Sequence, residues 1–154
     1  MHDARQIANW YVRRAAEDGR TLSIMQLLKL IYIAHGWHLE MFKRPLFSNR
    51  IEAWKFGPVV PEVYAAFRSQ GVNVKRSVPV ANAALDDNQK KLLDEVYSIY
   101  GPMDAFRLSD ITHVANGPWA LASRKGYFAE IPNEQIQAHY EKLRETAKSA
   151  QAAS

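Results

Sequence analysis

Three histidines, a lysine and a proline-flanked aromatic block are the residues of this chain whose types and spacing could do chemistry. His35 and His38 stand one helical turn apart, a spacing that could set two imidazoles on one metal ion. Two ligands are too few for a site, and no carboxylate is spaced to complete one. The pair therefore reads as packed, hydrogen-bonded histidines, with no metal and no cofactor expected. His113 follows Asp110 by one turn and precedes Asn116-Gly117-Pro118-Trp119. A histidine oriented by a carboxylate, Asp110 or the more distant Glu130, could serve as a general base beside an aromatic pocket. Only Ser109, Thr112 and Ser123 stand near it as candidate nucleophiles. The competing reading has His113 bonding across helices while Trp119 fills the core. No catalytic residue is assigned on this pattern, and a hydrolase or transferase using His113 is the alternative from another class.

Lys29 lies on the narrow polar stripe of an otherwise apolar helix. It could extend its stem over apolar neighbours to reach water, or present a charge at the edge of a binding groove. The stretch from Trp54 to Tyr64 holds Lys55, Phe56, Gly57, Pro58 and Pro61. It has no nucleophile beside a base, no glycine-rich phosphate cradle and no metal spacing. Two prolines stiffen the segment and lower the entropy lost on binding. Aromatics on a stiff segment are the usual anchors of protein interfaces. Trp54, Phe56 and Tyr64 are read as core anchors with one exposed edge. Lys29, Trp54, Lys55, Pro58 and Tyr64 form the candidate partner-binding set.

The elements that must position these residues can be read from capping and periodicity. Asp3 is a plausible N-cap for a helix to about Asp18, with Gly19 as its stop. Ser23-Ile24-Met25-Gln26 reads as a capping box that opens the second helix. Gln26, Lys29, Gly36, Glu40 and Lys43 are its polar stripe, so it packs on several sides and is the central helix. Ile51, Ala53 and Trp54 suit a short strand, Gly57-Pro58 a turn, and Pro61 the first turn of a third helix. Val72, Val74, Val78 and Val80 alternate weakly, which predicts a second strand pairing near the first. Asp86 with Gln89 opens a fourth helix and Asp104 a fifth; Pro118-Trp119 begins a helical turn. A last helix follows Pro132 to about Lys148. The expected fold is mainly α: a compact single domain over 1–148 around a central apolar helix, with a small β-hairpin and a frayed tail at 149–154.

Composition narrows the function classes. The 154 residues are 47% hydrophobic and include no cysteine. This length supports an independent core, and the missing thiols exclude disulfides, zinc-thiolate sites and thiol catalysis. That fits a reducing compartment, so a cytoplasmic location is expected. The stretch from Leu22 to Phe42 has the length of a membrane span, but Gln26, Lys29, His35, His38 and Glu40 make it a poor one. The first 77 residues carry 12 Lys/Arg against 6 Asp/Glu, and the remainder 8 against 10. The basic residues are scattered rather than clustered, and no helix carries a basic recognition face. Direct DNA binding is therefore not expected.

The ordered set Leu27-Leu28-Lys29-Leu30-Ile31-Tyr32, Gly36-Trp37, Pro45-Leu46-Phe47, Ala53-Trp54, Gly57-Pro58-Val59, Tyr64, Leu108-Ser109, His113, Pro118-Trp119, Ile131 and Tyr140 resembles the Panacea domain. That domain is found in SocA-like antitoxins and GepA-like phage-associated proteins. Tyr32, Gly57, His113, Pro118 and Trp119 stand at its signature positions. The resemblance implies a non-enzymatic antitoxin that neutralises the toxin of a neighbouring gene by direct contact. It also implies an alternative, a proteolytic adaptor that hands the toxin to a Clp-type protease. No small-molecule substrate follows from it.

Overall fold

Polar caps set where the helices begin. The computed structural model describes residues 1–153. In chain order they form α1 (Ala4–Glu17), β1 (Leu22–Ser23), α2 (Ile24–Phe42), β2 (Glu52–Trp54), β3 (Gly57–Val59), α3 (Pro61–Phe67), β4 (Asn73–Val74), α4 (Asp87–Tyr100), α5 (Ala105–Thr112), α6 (Pro118–Ser123) and α7 (Asn133–Ala153). Asp3, Ser23 and Asp86 each accept a first-turn N–H, while Gln6, Gln26 and Gln89 reach back to the cap's own N–H at 2.9, 2.8 and 3.2 Å. Each reciprocal cap satisfies donors that a helix start otherwise leaves bare. Asp104 caps α5 without the reciprocal bond, accepting the Arg107 N–H at 2.8 Å.

The fold is mainly helical with minor β structure, and α2 is its axis. Thirteen of its 19 residues are buried, too many for one face. α1, α3, α4, α5, α7 and β3 all pack against it. Burying one Leu or Ile is worth about 1.5–3 kcal/mol, several times a typical difference in helix propensity, so packing rather than local preference holds this helix. It approaches α7 tightly at Gly36, where an added Cβ would overlap the Tyr140 ring. Tyr140 in turn packs edge-on against Trp37 and Tyr32.

The strands pair differently from the expectation. β2 pairs antiparallel with β3 around a Lys55-Phe56 turn, so Gly57-Pro58 belongs to a strand and not to the turn. Proline is tolerated there for a geometric reason. Ala53, opposite Pro58, sends its N–H away from β3 to the Ala129 carbonyl at 2.8 Å. Residues of that pair donate outward, so the N–H that proline lacks is not part of the ladder. The predicted partner, Val72 to Val80, instead supplies β4, which pairs with β1. Beyond it, the buried Asn9 amide takes the Val78 N–H and donates to the Val78 carbonyl, both at 2.8 Å. One side chain thus replaces the strand partner that Val78 would need.

α7 continues through Ala153, past the end expected near Lys148, and the tail residue Ser154 lies outside the described residues. Among the described residues no helix is long and apolar enough to cross a membrane.

Candidate functional site

Lys29 sits on α2 one turn after Met25, on the side covered by the β2–β3 hairpin and α5. The side chain does not reach water by extending along the surface: Lys29 is only 2% exposed. Its Nζ has one polar contact, the Met25 sulfur at 4.0 Å, a weak acceptor at long range. None of the ion pairs among the described residues includes it. Burial pushes its pKa down, because the charged form has lost water without gaining a counter-ion.

The hairpin closes over Lys29 through Gly57. That residue has φ 129°, a conformation suited to glycine. A Cβ there would lie 2.9 Å from His113 Nε2 and 3.5 Å from Lys29 Cε, so the missing side chain lets strand, histidine and lysine stem meet. His113 caps the C-terminal end of α5. Pro118 then starts α6 and brings Trp119 back onto it, the two rings stacked at 3.9 Å and 11°. Trp119 Nε1 donates to the Trp54 carbonyl at 2.8 Å, which ties α6 to the hairpin. His113 Nε2 is buried and makes no hydrogen bond. Burial and then the Lys29 ammonium hold the imidazole pKa down, while the Phe56 backbone and Asp110 pull weakly the other way. Burial and the nearby ammonium both favour the neutral imidazole here.

Neither Asp110 nor Glu130 hydrogen-bonds His113; Glu130 is engaged with Arg50 at 3.2 Å. The general-base arrangement considered from the sequence is therefore not assembled in this geometry. His35 and His38 are fully buried. His38 donates from Nδ1 to the Arg44 carbonyl at 2.7 Å and accepts at Nε2 from Gln89 at 3.1 Å, so both nitrogens are used. His35 bonds Asn133 Oδ1 at 2.9 Å and stacks on Phe47. No group of three or more His, Asp or Glu among the described residues is arranged to hold a metal.

Of the candidate partner-binding set, only Lys55 is exposed. Trp54 is half-buried between Tyr64 and Phe128, at ring distances of 5.2 and 5.5 Å, and its Nε1 donates to Glu52 at 2.9 Å. Tyr64 is likewise half-buried, and Pro58 is buried. Tyr32 is buried, with its ring edge-on to Tyr140 of α7. Two aromatics outside that set frame the surface. Phe56 at the hairpin tip is 59% exposed and Phe106 in the first turn of α5 is 85% exposed. Phe106 is two residues from the inward Leu108, nearly opposite it on a helix, and that off-face placement was the signal to find it. Between them opens a groove of about 390 Å³, with Met25, Lys29, Lys55 and His113 also in its lining.

Residues 27–120 match the family described as "Antitoxin SocA-like, Panacea domain". The chain is also 34% identical over 128 residues to "Antitoxin SocA" of Caulobacter vibrioides (strain NA1000 / CB15N), which covers 76% of this chain and 68% of that protein. The chain belongs to the SocA-like Panacea family. No solved structure matches it. The Panacea match takes in nearly all of α2, the hairpin, α5 and the start of α6, and so Lys29, Gly57, His113 and Trp119 together. α1 and α7 brace this Panacea unit from outside the matched span.

Proposed function

We propose that this chain is a non-enzymatic antitoxin that neutralises the toxin of a neighbouring gene by direct protein–protein contact. Membership of an antitoxin family supports the role. The observation that supports direct contact is the exposure of Phe56 and Phe106 on either side of the groove. Large aromatics held outward by short, well-packed elements lose little freedom on binding, and they are the residue types that dominate interface energies. Trp54, Lys55, Pro58 and Tyr64 belong to this face in different capacities. Lys55 is a contact, Trp54 and Tyr64 form the aromatic support beneath it, and Pro58 stiffens the strand that carries it. The setting proposed is cytoplasmic, with no nucleic acid, cofactor or small-molecule substrate required.

Co-expression tests the role. The neighbouring gene alone should arrest growth, and this chain should restore it. Rescue with toxin persisting in a co-purifying complex supports sequestration. Rescue with toxin disappearing, and reversal when a Clp-type protease is deleted, supports delivery to that protease instead. Failure of rescue with both proteins present removes the antitoxin role for that pair.

A further inference from the structure

The groove between Phe56 and Phe106 has a charge at its floor that the chain itself does not balance. Lys29 is 2% exposed, its one polar contact is the Met25 sulfur at 4.0 Å, and no acidic residue lines the groove. Removing an ammonium from water without a counter-ion is costly, whereas an ion pair in an apolar, partly dry setting is strong when geometry and desolvation are matched. The walls that surround it are apolar or neutral. Met25, Phe56 and Phe106 supply hydrocarbon and ring surface, and His113 is held in its neutral form by burial and by Lys29. Lys55, at the rim, adds a second positive charge.

We propose that this groove receives an acidic side chain of the toxin, an Asp or Glu flanked by an apolar residue, with Lys29 as its ion partner and Phe56 and Phe106 clasping the neighbour. The inference rests on the direct-contact reading above and specifies its chemistry. A single buried cation matches a single carboxylate. A phosphate-bearing ligand would call for several cations converging on it, whereas Lys29 alone stands at the floor and Lys55 lies out at the rim. A free carboxylate metabolite would leave the outward faces of Phe56 and Phe106 in water, whereas a protein partner covers them. Gly57 has a definite part in this arrangement. A Cβ there would press on His113 Nε2 at 2.9 Å and rest against the Lys29 stem at 3.5 Å, so glycine lets the histidine sit beside the lysine.

The test uses the full chain and the protein encoded beside it, inactivated so that both can be purified. Isothermal titration is run with the natural chain, Lys29→Met and Phe106→Ala, alongside thermal melting of each variant. Lys29→Met keeps the stem volume and removes the charge; it should weaken binding by about 100-fold while melting no earlier than the parent. Phe106→Ala, at an exposed position, should fold normally and weaken binding by about tenfold or more. Carbodiimide treatment of the complex, which joins amines to carboxylates in contact, should yield a Lys29–Asp or Lys29–Glu linkage to the toxin by mass spectrometry. Unchanged affinity of Lys29→Met, or cross-links through Lys55 and other surface lysines alone, overturns the carboxylate pocket but leaves direct binding standing. No binding by the natural chain overturns the direct-contact reading and the pocket with it.

Discussion

Along α2, His38 and Lys29 are both removed from water, but their surroundings treat them differently. His38 sits in a completed network: Arg44 carbonyl on one nitrogen, Gln89 on the other, and His2 beyond Gln89 at 3.3 Å. Each member is a neighbour that the fold itself supplies. Lys29 has a sulfur at 4.0 Å and an apolar groove in front of it. Buried polarity that is fully paired ties segments together and specifies one structure. Buried charge that is left unpaired is a liability to the free protein, and it is relieved when a partner brings the missing group. The same helix thus carries a paired polar site at one end and, nearer the other, the unpaired charge that we propose as a recognition site.

Three measurements would break or sharpen that contrast. The largest effect is expected for His38→Ala, which opens a cavity and leaves the Gln89 side-chain N–H and the Arg44 carbonyl without their partner. A loss of about 3–4 kcal/mol in urea unfolding is expected, with toxin affinity of the folded protein little changed. If stability barely moves, the histidine network is not structural and the contrast fails.

Next is acid sensitivity. His35 is buried in neutral form and its pKa is lowered from 6.5 to about 4, chiefly by burial. The unfolded chain therefore binds this proton first as pH falls. Stability is intact above about 6.5 and declines as pH drops toward 4, by about 3 kcal/mol for this one residue. The pKa of His38 is lowered for the same first reason and acts in the same direction. Denaturant unfolding across that window should show the decline, and a flat profile would mean His35 is protonated without penalty.

The smallest effect is expected at Lys29. Lys29→Met removes a buried charge and keeps the packing, so stability should match the parent or rise by up to about 1 kcal/mol. A loss above about 2 kcal/mol would show that the folded chain already satisfies this lysine. The opposite signs expected for binding and stability at this residue distinguish a recognition site from a core residue.

The caps were legible in the sequence because they are local. Asp3, Ser23 and Asp86 with a Gln three residues on need only their own helix turn to form. The centrality of α2 was legible too, since apolar residues around its circumference have no other solution than burial. The strand pairing was not. β2 found β3 two residues away, and Val78 found the Asn9 amide 69 residues away. The first was hidden because Gly57-Pro58 reads as a turn, and no local pattern points to the second. Phe106 was visible as an aromatic off the inward face of α5, but only the hairpin placed opposite it makes it the wall of a groove.

The sequence by itself determined the mainly helical class, the central helix, the cysteine-free chemistry and the ordered residues of the Panacea family. The first three follow from periodicity and capping, which act within a turn or two of the chain, and from composition, while the family is read from the resemblance of its ordered motifs. The tertiary structure decided that Lys29 is enclosed rather than spread over the surface. It decided that His113 stacks on Trp119 instead of meeting a carboxylate, and that Gly57 is the close approach joining hairpin, helix and lysine. Those outcomes depend on which distant segments come to lie beside α2, and burial and partnership are properties of that three-dimensional neighbourhood.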